Sequence, residues 1–393
     1  MKKRVLSAIL GAAMAATLLA GCGGGSSSAA QSSAAKEASA ASAAEEPAAA
    51  SSADQGSATE SSAATSSAAE ASSAEGGAAA GGGTYAFVSK SAGNPFNERE
   101  AAGFEDAVKA LGGTAIIQHP EAATADAQIT VIQSLISQGV DSICVAANDE
   151  NALQAALEDA AAAGIKVCSV DSTVNVASRL THVNQAGVTE IGQCLIDAVY
   201  DIAGGEGQWA VLSATSQAAN QNAWIDSMKE IMAADEKYSK LELVEVAYGD
   251  DEPQKSTDQT QALLQNYPDL KVICAPTTVG IAAAAKVLQD QGSSVKLTGL
   301  GLPSEMAEYI GDDDAHSCPY MFLWNPIDLG SLGAYTSAAL VSGEITGAAG
   351  EKFTAGEMGE YEIVTAGDGG TEIILGAPFK FDPSNIDEWK EVY

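Results

Sequence analysis

The chain has 393 residues, of which 52 are acidic and 19 are basic, so its formal net charge is -33. This length exceeds that of one ordinary domain and predicts two lobes of roughly 100–200 residues each. Because an acidic surface repels polyanions, the charge excludes a nucleic-acid-binding role and electrostatic binding to an anionic membrane surface.

The first 21 residues have the composition of a signal peptide. Residues 2–4 are basic, and residues 5–20 form an apolar stretch, shorter than the about 20 apolar residues that a membrane span needs. The stretch ends in Leu-Ala-Gly-Cys22, which resembles the bacterial lipobox, where the cysteine is diacylated and becomes the mature N-terminus. We therefore expect an extracytoplasmic protein that is anchored to the cell membrane through lipidated Cys22. The alternative is an ordinary secretory signal that happens to end near a cysteine.

The segment that follows, residues 22–83, is predicted to be a disordered linker after the lipidated cysteine. It consists almost entirely of Ala, Ser, Gly and Glu and has no sustained apolar stripe. Such a segment buries too little surface to offset its chain entropy, which is typical of a flexible tether.

From residue 84 onwards, short apolar runs alternate with helical patterns. One such pattern places Ile129, Ile132, Leu135 and Ile136 on one face of a helix that ends at Gly139. Strands are predicted at residues 85–88, 115–117, 143–147, 167–170, 209–212, 241–246, 272–274, 295–300 and 321–324. The strands read as continuous apolar runs, which indicates sheets that are covered by helices on both faces. Because single helices separate the strands, the fold class is α/β, with two doubly wound parallel-sheet (Rossmann-like) lobes.

Polar side chains follow most of these strands, and ligands of open α/β sheets bind beyond the carboxyl ends of the strands. Carboxylates, amides and a lysine near aromatic rings suit a neutral polyol, because its hydroxyls donate and accept and its C–H face packs on a ring. Asn or Asp at a strand end is also a normal helix N-cap, so each residue alone has a structural alternative. The candidate ligand-binding residues are Lys90, Asn94, Phe96, Asn148, Asp171, Asn220, Gln221, Pro276, Thr278, Trp324 and Asn325.

Signatures of catalysis are absent from the sequence. There is no GxxxxGK[ST] phosphate loop, no HExxH and no GxSxG, and no nucleophile accompanies a Lys90–Asp171 acid/base pair. Residues 312–314 with His316 and Cys318 allow a metal site to be drawn, but zinc sites need better-spaced Cys or His pairs. A solvated acidic turn is the simpler interpretation. We therefore expect no enzyme activity, no metal and no cofactor.

Five cysteines remain if Cys22 is lipidated, and an odd number leaves at least one thiol unpaired within the chain. Cys144, Cys168 and Cys274 lie inside apolar strands, where cysteine behaves as a small buried hydrophobe. We predict free thiols, and the pairing of Cys144 with Cys168 stays open at this stage.

Several sequence runs, in this order along the chain, resemble those of one protein family. They are Asn220–Trp224, Tyr248–Ser256, Asn266–Leu270, Leu323–Gly330 and Phe381–Asp387. From residue 84 to its end the chain is similar to the type I periplasmic binding proteins of sugar ABC importers, and most of all to the rhamnose and autoinducer-2 binding proteins.

The resemblance implies a monomer that closes two hinged lobes around a rhamnose-type monosaccharide and delivers it to ABC permease and ATPase subunits. By this analogy the N-terminal lobe comprises 84–186 plus 302–324, and the C-terminal lobe comprises 187–301 plus 325–393. Three chain crossings would form the hinge. The alternatives are an autoinducer-2 binding protein or a sugar sensor that serves a chemoreceptor or kinase. A transcriptional regulator of this fold is excluded by the signal peptide and the charge.

The resemblance also assigns individual residues. Lys90 and Asp171 match a lysine and an aspartate of the autoinducer-2 binders, Asn220-Gln221 stands where they have Asp-Gln, and Pro276-Thr277-Thr278 stands where they have Pro-x-Ala. The amide of Asn220 and the hydroxyl of Thr278 change which hydroxyl pattern can be fully paired. The runs Asn-Gln-Asn (220–222) and Leu-Trp-Asn-Pro (323–326) resemble the rhamnose-type branch of the family more closely, and this resemblance favours a deoxyhexose or a similar monosaccharide over autoinducer-2.

Overall fold

A computed structural model of the protein describes residues 82–393. The predicted signal peptide (1–21), the lipidated Cys22 and the linker up to residue 81 lie outside the described residues. In residues 82–393, no helix combines the length and apolar character needed to cross a membrane.

Strands and helices alternate along most of the described chain. The strands are β1 (Thr84–Val88), β2 (Thr114–Gln118), β3 (Ser142–Val145), β4 (Lys166–Val170), β5 (His182–Asn184), β6 (Gly207–Ser213), β7 (Leu241–Tyr248), β8 (Leu270–Ala275), β9 (Lys296–Gly299), β10 (Met321–Leu323), β11 (Lys352–Thr354), β12 (Glu360–Glu362), β13 (Val364–Thr365), β14 (Thr371–Ile374) and β15 (Phe379–Phe381). The helices are α1 (Pro95–Ala110), α2 (Ala125–Gln138), α3 (Gln154–Ala162), α4 (Val188–Ala203), α5 (Ala219–Ala234), α6 (Pro253–Asn266), α7 (Thr278–Asp290), α8 (Pro303–Met306), α9 (Pro326–Ser342) and α10 (Ile386–Trp389).

The first sheet has seven strands in the order β13-β14-β5-β4-β3-β1-β2, and all neighbours are parallel except β13 and β14. Successive residues of a strand point to opposite faces. Phe87 of β1 therefore packs with Phe104 and Cys168 on the side of α1 and α9, whereas Val88 packs with Ile132 on the side of α2 and α3. Both faces are buried, which is the physical reason for the continuous apolar runs in the sequence.

The second sheet has four parallel strands in the order β7-β6-β8-β9. Helices α4 and α5 pack together, as do α6 and α7, and the two pairs cover the sheet. Strand β10 lies next to β9, because its residue Phe322 forms a parallel bridge with Leu300, the residue after β9. On its other edge β10 pairs with β15. The prediction of an α/β fold with two parallel sheets is confirmed.

Two C-terminal segments pack differently from the sequence-based lobe assignment. Residues 302–324 were assigned to the N-terminal lobe, but β10 joins the second sheet's side. Residues 325–393 were assigned to the C-terminal lobe, but α9 packs on α1, β3 and β4, and β14 pairs with β5. An apolar helix or strand carries the same pattern whichever sheet it covers, so periodicity alone does not decide between the two sheets.

Two glycines allow α1 and α9 to approach closely. A Cβ atom added to Gly330 would lie 1.8 Å from the carbonyl oxygen of Glu100, and one added to Gly103 would lie 2.0 Å from that of Ile327. No side chain fits in either place, so the backbones of the two helices touch directly. This contact fixes the start of α9, which immediately follows Trp324 and Asn325.

Candidate functional site

The carboxyl ends of strands from both sheets surround a pocket that is partly open to solvent and has a free volume of about 30 Å³. Its lining residues are Lys90, Asn94, Phe96, Asn97, Asp171, Asn220, Gln221, Trp224, Asp251, Pro276, Thr277, Thr278, Leu300, Leu323 and Trp324. We call this space the central pocket.

Three buried polar side chains of the central pocket bond to one another. The Lys90 ammonium lies 3.2 Å from an Asp171 carboxylate oxygen and donates a 3.0 Å hydrogen bond to the Asn220 amide oxygen. The Asn220 amide nitrogen donates to the other Asp171 oxygen at 3.1 Å. Lys90, Asp171 and Asn220 are 6%, 5% and 8% exposed. The triad, as we call these three residues, therefore pairs one buried cation with one buried anion, as buried charges require.

Two aspartates of the central pocket have left-handed backbone conformations that non-glycine residues seldom adopt. The φ angle is 55° at both Asp171, directly after β4, and Asp251, in the turn after β7. Aspartate tolerates this region better than most residues, and such strain is common at ligand sites. Asp251 accepts a 2.6 Å hydrogen bond from the Thr277 hydroxyl, and desolvation raises the pKa of its carboxyl group.

Aromatic rings form the apolar wall of the pocket. The Trp324 ring lies edge-to-face with Phe96, at a centroid distance of 6.3 Å, and with Trp224, at 5.7 Å. The buried indole N–H of Trp324 and the buried side-chain oxygen of Gln221 have no hydrogen-bond partner among the described residues. Since buried polar groups are normally paired, the pocket has a donor and an acceptor available to a ligand.

Most of the predicted site residues line the central pocket, and two do not. Asn148 lies one layer away, where its amide donates a 2.7 Å hydrogen bond to the Lys90 carbonyl oxygen. Asn325 is the N-cap of α9, because its side-chain oxygen accepts from the Ile327 N–H at 3.0 Å, and it therefore has a helix-capping role. Asn94 caps α1 in the same way, but it also lines the pocket.

Some residues that line the central pocket are absent from the predicted set. Asp251 and Thr277 were not singled out as candidates, although Asp251 follows the end of β7 and Thr277 follows the end of β8. The rule of strand ends identifies both when it is applied to every strand. Leu300 and Leu323 carry no polar signal, because they line the pocket through apolar contacts alone.

A fully buried carboxyl group lies close to the triad. Glu100 of α1 is 0% exposed, and neither of its carboxyl oxygens has a hydrogen-bond partner in the described part of the chain. Burial raises the pKa of Glu100 well above its ordinary value, and the Asp171 charge adds to the increase. Burial therefore favours the protonated, uncharged form of Glu100.

The other candidate chemistry has structural explanations. His316 bonds Asp313 at 2.7 Å in an exposed turn, and residues 82–393 contain no group of three or more His, Cys, Asp or Glu placed to hold a metal. Cys144 and Cys168 are register partners on β3 and β4, yet all five cysteines of residues 82–393 are free, as predicted.

Comparisons with known proteins identify relatives of this chain. A family model described as "periplasmic binding protein domain" matches residues 85–345. The D-apiose import binding protein of Paraburkholderia graminis is 25% identical over 235 residues, which are 58% of this chain and 72% of that protein.

Solved structures give further matches. An ABC transporter solute binding protein from Clostridium phytofermentans with bound L-rhamnose is 62% identical, with a TM-score of 0.78 over 79% of this chain and 99% of that one. LsrB from Clostridium saccharobutylicum in complex with AI-2 is 22% identical, with a TM-score of 0.73 over 78% of this chain and 99% of that one. The second likeness concerns the fold alone.

Proposed function

The chain belongs to the periplasmic binding protein domain family, whose members are non-enzymatic solute receptors, and we propose from this premise that it captures L-rhamnose for an ABC importer. As a solute-binding protein of the sugar ABC transporter type, it has the type I periplasmic binding fold. The observation that carries the proposal is a pocket with an unpaired donor, an unpaired acceptor and an aromatic wall. The choice of sugar follows the 62% identical protein that was solved with L-rhamnose.

In this proposal the sugar replaces the internal contacts of the triad. Its hydroxyls accept from Lys90, donate to Asp171 and bond the amide of Asn220, so that the buried charges stay compensated after the exchange. The C–H face of the ring and the methyl group of a 6-deoxysugar pack against Trp324 and Phe96. Because a methyl group forms no hydrogen bonds, it can pack against these aromatic rings without leaving a polar group unpaired.

The proposed lobes follow the two sheets. One lobe comprises 84–184 and 326–374, and the other comprises 188–323 and 379–393, since these segments pack on the first and second sheet sides respectively. The chain then crosses at 185–187, 324–325 and 375–378, three short segments that serve as the hinge. Closure of the hinge buries the sugar, and the closed form is the one delivered, as a monomer, to the permease.

The proposed location is the outer face of the cell membrane, with lipidated Cys22 as the anchor. The support is the basic, apolar and Leu-Ala-Gly-Cys pattern of residues 1–22. Cys22→Ala should move the protein from the membrane fraction to the soluble fraction of the expressing cells. Membrane association that persists in this variant would contradict the lipoprotein assignment.

A thermal-shift screen of the mature chain with Cys22→Ala tests the ligand. We expect L-rhamnose at 100 times its dissociation constant to add about 2.7 kcal/mol to the free energy of unfolding, which is a shift of several degrees. Other pentoses and hexoses serve as controls. A shift with autoinducer-2 alone would replace rhamnose capture by a signalling function, and no shift with any of these compounds would refute the proposed ligand class.

A further inference from the structure

A second space, which is partly open to solvent and has a free volume of about 400 Å³, adjoins the central pocket. We call it the side cavity. The two spaces share Asp171, Asn220 and Trp224 as a common wall. The side cavity lies between the end of β5, the first turns of α5 and the loop that joins β13 to β14.

Paired polar side chains hold the outer wall of the side cavity in place. A guanidinium nitrogen of Arg179 bonds the Asp368 carboxylate at 2.6 Å, and the Asn184 amide donates to Glu372 at 2.7 Å. The Arg179 side chain is only 2% exposed. These pairs tie the β13–β14 hairpin, at the edge of the first sheet, to β5 and the segment before it, so the cavity has a fixed wall.

One buried side chain in the side cavity lacks the partners that it needs. Gln185, directly after β5, is 1% exposed, and neither its amide oxygen nor its amide nitrogen has a hydrogen-bond partner in the described chain. Gln128, another buried glutamine, makes three hydrogen bonds. An unpaired buried amide is costly, so Gln185 presents a donor and an acceptor to a polar occupant of the cavity.

The charge of the walls selects the type of occupant. The lining contains four carboxylates, three of which are paired as described, against one guanidinium. His182 is uncharged, because burial lowers its pKa to about 3. An anion is disfavoured, whereas a neutral group with hydroxyls can use Gln185 and pack its apolar face on Trp224 and Ala223.

We propose that the side cavity is a subsite for a second sugar unit, so that the chain binds a disaccharide with its rhamnose-type unit in the central pocket. This inference rests on the proposed function, because it requires a sugar in the central pocket. The second unit would pass the shared wall at Asp171 and Asn220, and Gln185 would bond its hydroxyls.

The test is calorimetric titration of the mature chain with L-rhamnose and with α-L-rhamnopyranosyl-(1→6)-D-glucose. We expect the disaccharide to bind at least tenfold more tightly. Gln185→Leu should weaken disaccharide binding by about tenfold or more, because a hydroxyl then lacks its partner, and should change the L-rhamnose affinity less than threefold. Gln133→Leu, at an exposed position of α2, is the matched control and should change neither.

A second variant tests the cavity without changing a polar group. Ala223→Phe, on the side-cavity face of α5, fills space and should remove the advantage of the disaccharide while L-rhamnose still binds. If L-rhamnose binds normally and the disaccharide binds no more tightly than L-rhamnose, the subsite is overturned and the proposed function stays intact. If neither sugar binds, the proposed function fails, and the subsite with it.

Discussion

The side chain of Gln128 on α2 supports the central pocket from behind, and its replacement by leucine is a test of that support. Its amide nitrogen donates to the carbonyl oxygens of Ser89 at 3.0 Å and Ala146 at 2.7 Å, and its amide oxygen accepts from the Asn148 N–H at 2.9 Å. Gln128 is fully buried. One amide therefore fixes the backbone after β1 and β3, where Lys90 and Asn148 lie.

Gln128→Leu keeps the approximate volume and leaves two carbonyl groups and one N–H unpaired in the interior. Each unpaired buried group costs about 1–3 kcal/mol, so we expect the free energy of unfolding to fall by about 3–9 kcal/mol. With the usual unfolding entropy per residue, this corresponds to a decrease in Tm of roughly 5–14 °C. Affinity for L-rhamnose should also fall, because the segment that carries Lys90 loses its support.

Gln185→Leu is the matched control, since it removes a buried amide that has no partner in the protein. Calorimetry of the ligand-free chains should show an unchanged or higher Tm for Gln185→Leu and the large decrease for Gln128→Leu. Equal decreases in the two variants, or a decrease below about 1 °C for Gln128→Leu, would refute the reasoning from hydrogen-bond partners.

Three further variants address the central pocket. Asp171→Asn leaves the buried Lys90 ammonium without a carboxylate, so we expect the free energy of unfolding, measured with urea, to fall by about 3–5 kcal/mol. L-rhamnose should bind at least tenfold more weakly, and wild-type affinity would contradict the position of the pocket. The raised pKa of Glu100 means that the folded state retains a proton that the unfolded state releases, so its contribution to stability is present below its ordinary pKa and decreases as the pH rises. Glu100→Gln should therefore lose less stability than wild type as the pH rises from about 5 to about 8, and equal losses would argue against a raised pKa of Glu100. Trp324→Ala should weaken L-rhamnose binding at least tenfold, whereas Trp389→Ala, which removes a ring of the separate cluster with Phe379 and Phe381, should lower stability and retain affinity.

The sequence allowed the parallel strands and most of the central pocket to be predicted, because both follow from local rules. A strand that is buried on both faces must be apolar throughout, and ligands gather at the carboxyl ends of such strands. These rules led to Lys90, Asp171 and Asn220, which the structure brings within 3.2 Å of one another.

What the sequence did not predict depends on partners that are distant along the chain. Strand β5, with the sequence His-Val-Asn, is too short and polar to be recognised, and it forms between β4 and β14 of the same sheet. The missing partners of Gln185 are likewise visible only in three dimensions. The sequence likewise does not show on which sheet α9 packs, because this depends on the direct backbone contact between α1 and α9 at Gly103 and Gly330.

The triad also has a consequence for exchange rates. When no sugar is present, the three side chains of the triad bond to one another, so these internal contacts compete with the contacts to the sugar. Each bond to the triad that a departing sugar breaks can be replaced at once by an internal one, so release does not pass through an uncompensated buried charge. Stronger contacts within the triad lower the affinity for the sugar and raise its rate of release. A substitution that weakens the contacts within the triad and spares those to the sugar would give a tighter but slower receptor.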